Sequence, residues 1–270
     1  MRTVQRERVG LVEFAYVDDT PSDLNEDLPV LLWLHGGYVT SESWEPQRDH
    51  FRHTKWRSIY LDLPGHGQST RLLSRYDVNL FARDILEFLK QLNITTVICI
   101  GHSLGGMVAQ RLAYLAPRTF KALVLADTTY STRSSVREMA ESVLAKGVFS
   151  LASTEKLAKM SARQLSGRRV DVGPMIYKQM MEHGENKEAL KGMLNAVFKF
   201  DSRPWLRHLK LPVLLLVASD NKATNRQISG FIKMLNYIKV EVITNSGHML
   251  NWDQPEKFNQ AVEDFIMEME

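Results

Sequence analysis

The chain of 270 residues has one cysteine, Cys99, which excludes any intrachain disulfide. Cys99 stands inside the apolar run Val97-Ile98-Cys99-Ile100, where it reads as a small buried hydrophobe. Long hydrophobic runs are missing too. The longest, Leu28 to Leu34 and Leu211 to Ala218, have the length of strands and fall far short of the about 20 residues that cross a bilayer, so no membrane association is expected. Residues Met1 to Arg8 are charged and no apolar core follows them, which argues against a signal peptide and makes the cytoplasm the expected compartment. No charge of one sign dominates: 34 Lys and Arg face 31 Asp and Glu, and the basic residues are dispersed, so nucleic acid is not an expected partner. His50, His53, His183 and His208 show no metal-ligand spacing, which leaves the expectation of no metal. Repeats and low-complexity segments are absent as well, and nothing in the sequence specifies an oligomeric state. An apolar content of 44% with 24% charged residues is that of an ordinary folded domain.

What is present is a succession of short apolar runs bounded by turn residues. They predict strands near Leu11 to Val17, Val30 to Leu34, Ser58 to Leu61, Val97 to Ile100, Ala122 to Ala126, Val213 to Val217 and Val240 to Ile243. Helical patterns lie between several of them, most clearly Val78, Phe81, Ile85, Phe88, Leu89 and Leu92. Continuous apolar strands alternating with helices imply an α/β fold, with a mostly parallel sheet covered on both faces. One connection differs. From Thr128 to Lys210 there is no strand pattern, only helix-like segments at Ser134 to Lys146, Ser153 to Leu165, Pro174 to His183 and Lys187 to Phe198.

The chemistry concentrates at Gly101-His102-Ser103-Leu104-Gly105-Gly106, between the run Val97 to Ile100 and an amphipathic stretch from Met107 to Ala116. Strand, tight turn and helix with a serine at the bend present that hydroxyl outward, and the small residues two positions to either side let strand and helix approach. The residue after the serine, Leu104, then offers a free N–H at a helix N-terminus. The stretch lacks the Gly-Lys-Ser/Thr ending of a phosphate-binding loop. Near the other end, the strand at Val240 to Ile243 leads into Asn245-Ser246-Gly247-His248, placing a histidine where it can reach the serine turn. Ser103 first and His248 last is the chain order of one triad class.

With His35-Gly36-Gly37 after the second run and Asp62-Leu63-Pro64-Gly65-His66-Gly67 after the third, the chain resembles the α/β-hydrolase fold family over nearly its whole length. The resemblance implies a core of residues 1–130 and 206–270 and a helical cap, 131–205, between the strand ending near Ala126 and the one starting near Val213. It implies Ser103 as nucleophile, His248 as base, and backbone N–H groups of Gly37 and Leu104 as the oxyanion hole. Candidate pocket walls are Tyr38, Trp44, Phe149, Met175, Phe198 and Trp205, and methionines at 139, 160, 175, 180, 181 and 193 suggest an adaptable lid. The family's usual acid position, after the penultimate strand, holds Asn221. Asp127, after the strand at Ala122 to Ala126, is the substitute expected to serve as the acid; Asp220, next to Asn221, is the alternative acid, and the absence of any carboxylate is a third case. The implied function is a cofactor-free serine hydrolase of a small-molecule ester, thioester or lactone. A cofactor-independent dioxygenase of the quinolone-cleaving kind, or a small-molecule receptor on a hydrolase scaffold, are the alternatives.

Overall fold

Successive side chains in a strand point to opposite faces, and the apolar runs use both. The computed structural model describes residues 3–70, 76–166, 169, 171–184 and 187–269. Its strands are β1 Gln5–Val9, β2 Val12–Asp19, β3 Val30–Leu34, β4 Ser58–Leu61, β5 Val97–His102, β6 Phe120–Ala126, β7 Val213–Ala218 and β8 Ile238–Ile243. They form one sheet in the order β1-β2-β4-β3-β5-β6-β7-β8. From β4 to β8 all pairings are parallel, while β2 runs antiparallel to both β4 and β1.

Helices cover both faces. They are α1 Glu45–Phe51, α2 Val78–Gln91, α3 Leu104–Leu115, α4 Val136–Leu151, α5 Thr154–Leu165, α6 Gly173–Gly184, α7 Lys187–Lys199, α8 Arg203–Leu206, α9 Lys222–Asn225, α10 Ile228–Met234, α11 Leu250–Asp253 and α12 Pro255–Met267. Leu32, Leu34, Cys99, Leu123 and Leu215 bury themselves with Phe81, Ile85 and Phe88 of α2 and Val108 and Leu112 of α3. The alternate residues Leu31, Trp33, Ile98, Ile100, Val124 and Leu214 pack with Phe51 of α1 and Phe258, Val262 and Phe265 of α12. Two-sided burial explains why these strands read as unbroken apolar runs.

β1 is the strand that the pattern misses. Gln5-Arg6-Glu7-Arg8-Val9 is mostly exposed and charged because it is a sheet edge, where charge discourages unwanted pairing. It is held by a two-residue hairpin in which Gly10 takes φ +57.

The long connection contains α4 to α7. It leaves and returns at one neck, where Ser131 and Asp201 form an isolated antiparallel bridge and Ser202 N donates to Tyr130 O at 2.8 Å. Between β3 and β5 the chain switches sides of the sheet, opening a crevice at their C-terminal ends. The His35-Gly36-Gly37 loop and Ser103 stand there.

Candidate active site

Ser103 joins β5 to α3 with φ 50 and ψ −113, a left-handed conformation that a side chain rarely adopts. The neighbourhood enforces it. A Cβ on Gly101 would sit 2.5 Å from Gly105 O, and one on Gly105 would sit 2.1 Å from Leu34 O, so only glycine lets α3 lie this close to the sheet. Ser103 N donates to Ala126 O at 3.0 Å, and Thr128 Oγ1 donates to Ser103 O at 2.6 Å, tying the bend to β6. Among the described non-glycine residues, positive φ occurs at Tyr38, Asn93, Ser103, Asp127 and Asn245. Three of these, Tyr38, Ser103 and Asp127, belong to this site, and strain of this kind collects where function holds the backbone in place.

Asp127 is fully buried at the end of β6, with its N–H on Leu216 O of β7 at 2.8 Å. Its Oδ2 lies 2.6 Å from His248 Nδ1, so the imidazole donates from Nδ1 and keeps Nε2 as its basic nitrogen. Asn221 Nδ2 donates to the same Oδ2 at 2.5 Å, and Thr224 Oγ1 donates to Oδ1 at 2.6 Å. Burial pushes the Asp127 carboxyl up. The hydrogen bond and charge of His248, with the bonds from Thr224 and Asn221, outweigh it and hold the group below the usual carboxylate range. Asp220, by contrast, is exposed, and its Oδ1 accepts from Ser219 Oγ at 2.8 Å. Asn221, at the position where the resemblance expects an acid, is therefore a donor to the carboxylate on the neighbouring strand.

Two buried histidines shape the surroundings. His102 Nε2 lies 2.8 Å from His248 O, an acceptor, so Nε2 carries the proton. Burial, followed by the charge of His248, lowers its pKa to about 3. His35 donates from Nδ1 to Gly36 O at 2.7 Å and accepts from Leu63 N at Nε2 at 3.0 Å, which fixes the loop leading to Gly37.

Ser103, His248, Gly37, Leu104 and Tyr38 line one cavity of about 310 Å³. Leu104 is the first residue of α3, so its N–H has no acceptor within the helix. The remaining walls are Val39 and Met249 from core loops, Ser161 and Leu165 from α5, and Leu194 and Val197 from α7. Among the described residues no Lys or Arg lines it. The residues from α5 and α7 sit at helical spacings of four and three, but the spacing does not say which face meets the serine.

The other expected wall residues lie elsewhere. Trp44 is buried beneath the sheet, 5.2 Å from the Trp33 ring and 5.9 Å from Phe258, because the aromatic core there accommodates its whole surface. Met175 borders a larger cavity of about 520 Å³ with Thr40, Glu42, Asp62 and Gln179, which contains neither Ser103 nor His248. Phe198 stands near the neck, where its carbonyl accepts from Thr132 Oγ1 at 3.0 Å. Trp205 packs on Tyr114 at 5.2 Å, with the Arg111 guanidinium 5.3 Å from its ring, a cation–π contact away from the serine. The Phe149 side chain lies outside the described residues. None of the six methionines expected to form an adaptable lid lines the serine cavity; Met139 and Met160 are exposed, while Met180 and Met193 are buried in packing. Among the described residues no group of three or more His, Cys, Asp or Glu is placed to hold a metal ion, and no helix is long and apolar enough to cross a membrane.

A serine on a strained strand-to-helix bend, lining one cavity with the histidine of a His–Asp pair at the switch point of a mostly parallel sheet, defines the class of nucleophile-elbow α/β proteins. The chain belongs to the alpha/beta hydrolase fold family, whose model matches residues 29–164. It is 25% identical over 243 residues to 3-oxoadipate enol-lactonase 2 of Acinetobacter baylyi, covering 88% of each chain. It is 26% identical over 255 residues to the carboxylesterase YbfK of Bacillus subtilis, covering 89% of this chain and 81% of that one. In three dimensions it is similar to an esterase of Exiguobacterium antarcticum, with a TM-score of 0.84 at 18% identity over 99% of this chain and 100% of the other.

Proposed function

We propose that this protein is a serine hydrolase that cleaves small, uncharged carboxylic esters, thioesters or lactones through an acyl-enzyme on Ser103. The observation that carries this reading is the 2.6 Å bond from His248 to a buried carboxylate, in a cavity that the strained serine shares. Ser103 Oγ attacks the carbonyl carbon and its proton passes to His248 Nε2. The N–H groups of Gly37 and Leu104 hold the resulting oxyanion, and collapse expels the alcohol, thiol or ring oxygen, which takes the proton from His248. Water, deprotonated by the same imidazole, then releases the acid and restores the serine. Asp127 keeps Nδ1 protonated and stabilises the imidazolium. Residues 131–205 act as the cap over this cavity.

Substrate size and charge follow from the walls. A cavity of about 310 Å³ is at the small end for ligand sites. Its apolar lining, with no Lys or Arg among the described residues, disfavours an anionic acyl group, whose charge would be buried unpaired. The lactonase and esterase relatives support ester-type substrates. The test is turnover of nitrophenyl esters of graded chain length. Neutral short esters should be cleaved, hemisuccinate esters of equal size should be slower by about tenfold or more, and Ser103→Ala should lose on the order of 10³-fold or more in kcat. Wild-type turnover by Ser103→Ala excludes the mechanism.

One observation favours a second reading. The acid stands at the end of β6, where the resemblance places it in cofactor-independent dioxygenases, and Asn221 occupies the hydrolases' usual position. Oxygen uptake with a hydroxyquinolone that survives blocking of Ser103 by a fluorophosphonate would support it.

A further inference from the structure

Three large apolar side chains that remain exposed gather around β8: Ile232 on α10, Tyr237 just before the strand, and Val242 within it. β8 ends the sheet, and no described strand pairs with its outer edge. Val213 N donates to Tyr237 O at 2.8 Å and Ser219 N to Ile243 O at 3.1 Å. The odd-numbered residues from 237 to 243 therefore turn their main chain toward β7, and Ile238, Val240 and Val242 turn theirs outward.

We infer that this edge is an interface to a second copy of the chain, with two β8 strands pairing antiparallel about Val240. In that register Val240 meets Val240 of the second copy and Ile238 meets Val242, each pair exchanging two main-chain hydrogen bonds. All cross-strand contacts on their face are apolar, and the exposed Val242 is covered. On the opposite face Lys239 meets Glu241 of the second copy in the closer, non-hydrogen-bonded pairing, and the two-fold axis produces the same contact twice. The charges also select the register. Centring the pairing on residue 239 sets Lys239 against Lys239, and centring it on residue 241 sets Glu241 against Glu241. In the isolated chain Lys239 reaches Glu268 at 2.6 Å, but both side chains are about half exposed and such a pair gives little stability, so the ammonium is free to re-aim. The dimer joins two eight-stranded sheets into one and satisfies an edge that otherwise invites indiscriminate pairing.

Sedimentation velocity on the full chain tests this. The wild type should run at twice 30.9 kDa at about 100 μM. Lys239→Glu and Glu241→Lys, each facing like charge across the axis, should run as monomers with unchanged circular dichroism and ester turnover. An equimolar mixture of the two variants should regain the doubled mass, because each acidic edge then meets a basic one. Val240→Pro, which removes an outward N–H and leaves the β7 ladder intact, should also be monomeric. A monomeric wild type, a dimer that persists in both charge variants, or a mixture that stays monomeric each overturns the assignment.

Discussion

On the proposed mechanism, Asp127 and Asn221, from two neighbouring strand ends, share the place of the acid beside His248. The carboxylate comes from β6, and the amide on the β7 side donates to it at 2.5 Å while standing 3.3 Å from His248 Nδ1. Asp127→Asn should lose on the order of 10⁴-fold in kcat, because a neutral amide neither fixes the tautomer nor stabilises the imidazolium. Asp220→Asn should stay near wild type, since its carboxylate bonds Ser219 at the surface. Exchanging the pair, Asp127→Asn with Asn221→Asp, returns a carboxylate to within reach of Nδ1 and should recover at least tenfold of the loss. Steady-state kinetics on one nitrophenyl ester reads all three, and equal losses for Asp127→Asn and Asp220→Asn would contradict the assignment of the acid.

At the scale of elements, the site depends on how closely α3 approaches β3. Gly105→Ala drives a methyl into Leu34 O and should destabilise the fold by about 3 kcal/mol or more in urea titration, whereas Gly37→Ala, whose Cβ would meet nothing nearer than 3.5 Å, should unfold near wild type. The neck of the inserted segment depends on Gln227 just ahead of α10. Its buried amide accepts from Thr129 Oγ1 and Tyr130 N and donates to Ser131 O at 2.6 Å and Glu138 Oε1 at 2.9 Å. Gln227→Ala strands several of these groups and should cost about 2–3 kcal/mol by the same measurement. These elements were legible to different degrees. The interior strands announced themselves because both faces are buried, and β1 did not because an edge strand carries Arg6, Glu7 and Arg8. Ser103 and His248 stand out as candidates in the sequence because a bend and a strand end have local signatures. The choice of acid between Asp127 and Asp220 needs the β6–β7 register that sets Ala126 beside Leu216, and no local pattern encodes it. Trp44 and Trp205 were misplaced because a large aromatic side chain suits a core or a cation as well as a pocket.

At the scale of the whole molecule, the buried polar groups at the site make stability depend on pH, and two buried histidines with lowered pKa act in the window below about pH 6.5: His35 and, lowered to about 3, His102. Below about pH 6.5 the unfolded chain takes up a proton on this imidazole. The folded chain refuses it until about pH 3, because burial and the charge of the neighbouring His248 outweigh the hydrogen bond from Nε2 to the His248 carbonyl, which alone would favour the protonated ring. The unfolded state thus binds the extra proton across that window, and each unit of acidification costs about 1.4 kcal/mol of folding stability. Asp127 acts in the same direction but lower. Its depressed carboxyl contributes stability that is fully present above the unfolded value of about 3.9 and is lost as pH falls through the folded one. Acid unfolding should therefore set in well above the carboxylate range, with Tm declining steadily from pH 6.5 to 4.5. His102→Gln keeps a donor for the His248 carbonyl and removes the titrating ring, so its Tm should vary less across that interval even if it starts lower. Asp127→Asn should keep the wild-type slope there, because its carboxyl does not titrate above about pH 4.5 in either state. A His102→Gln profile parallel to wild type between pH 6.5 and 4.5 would assign the acid sensitivity to other groups.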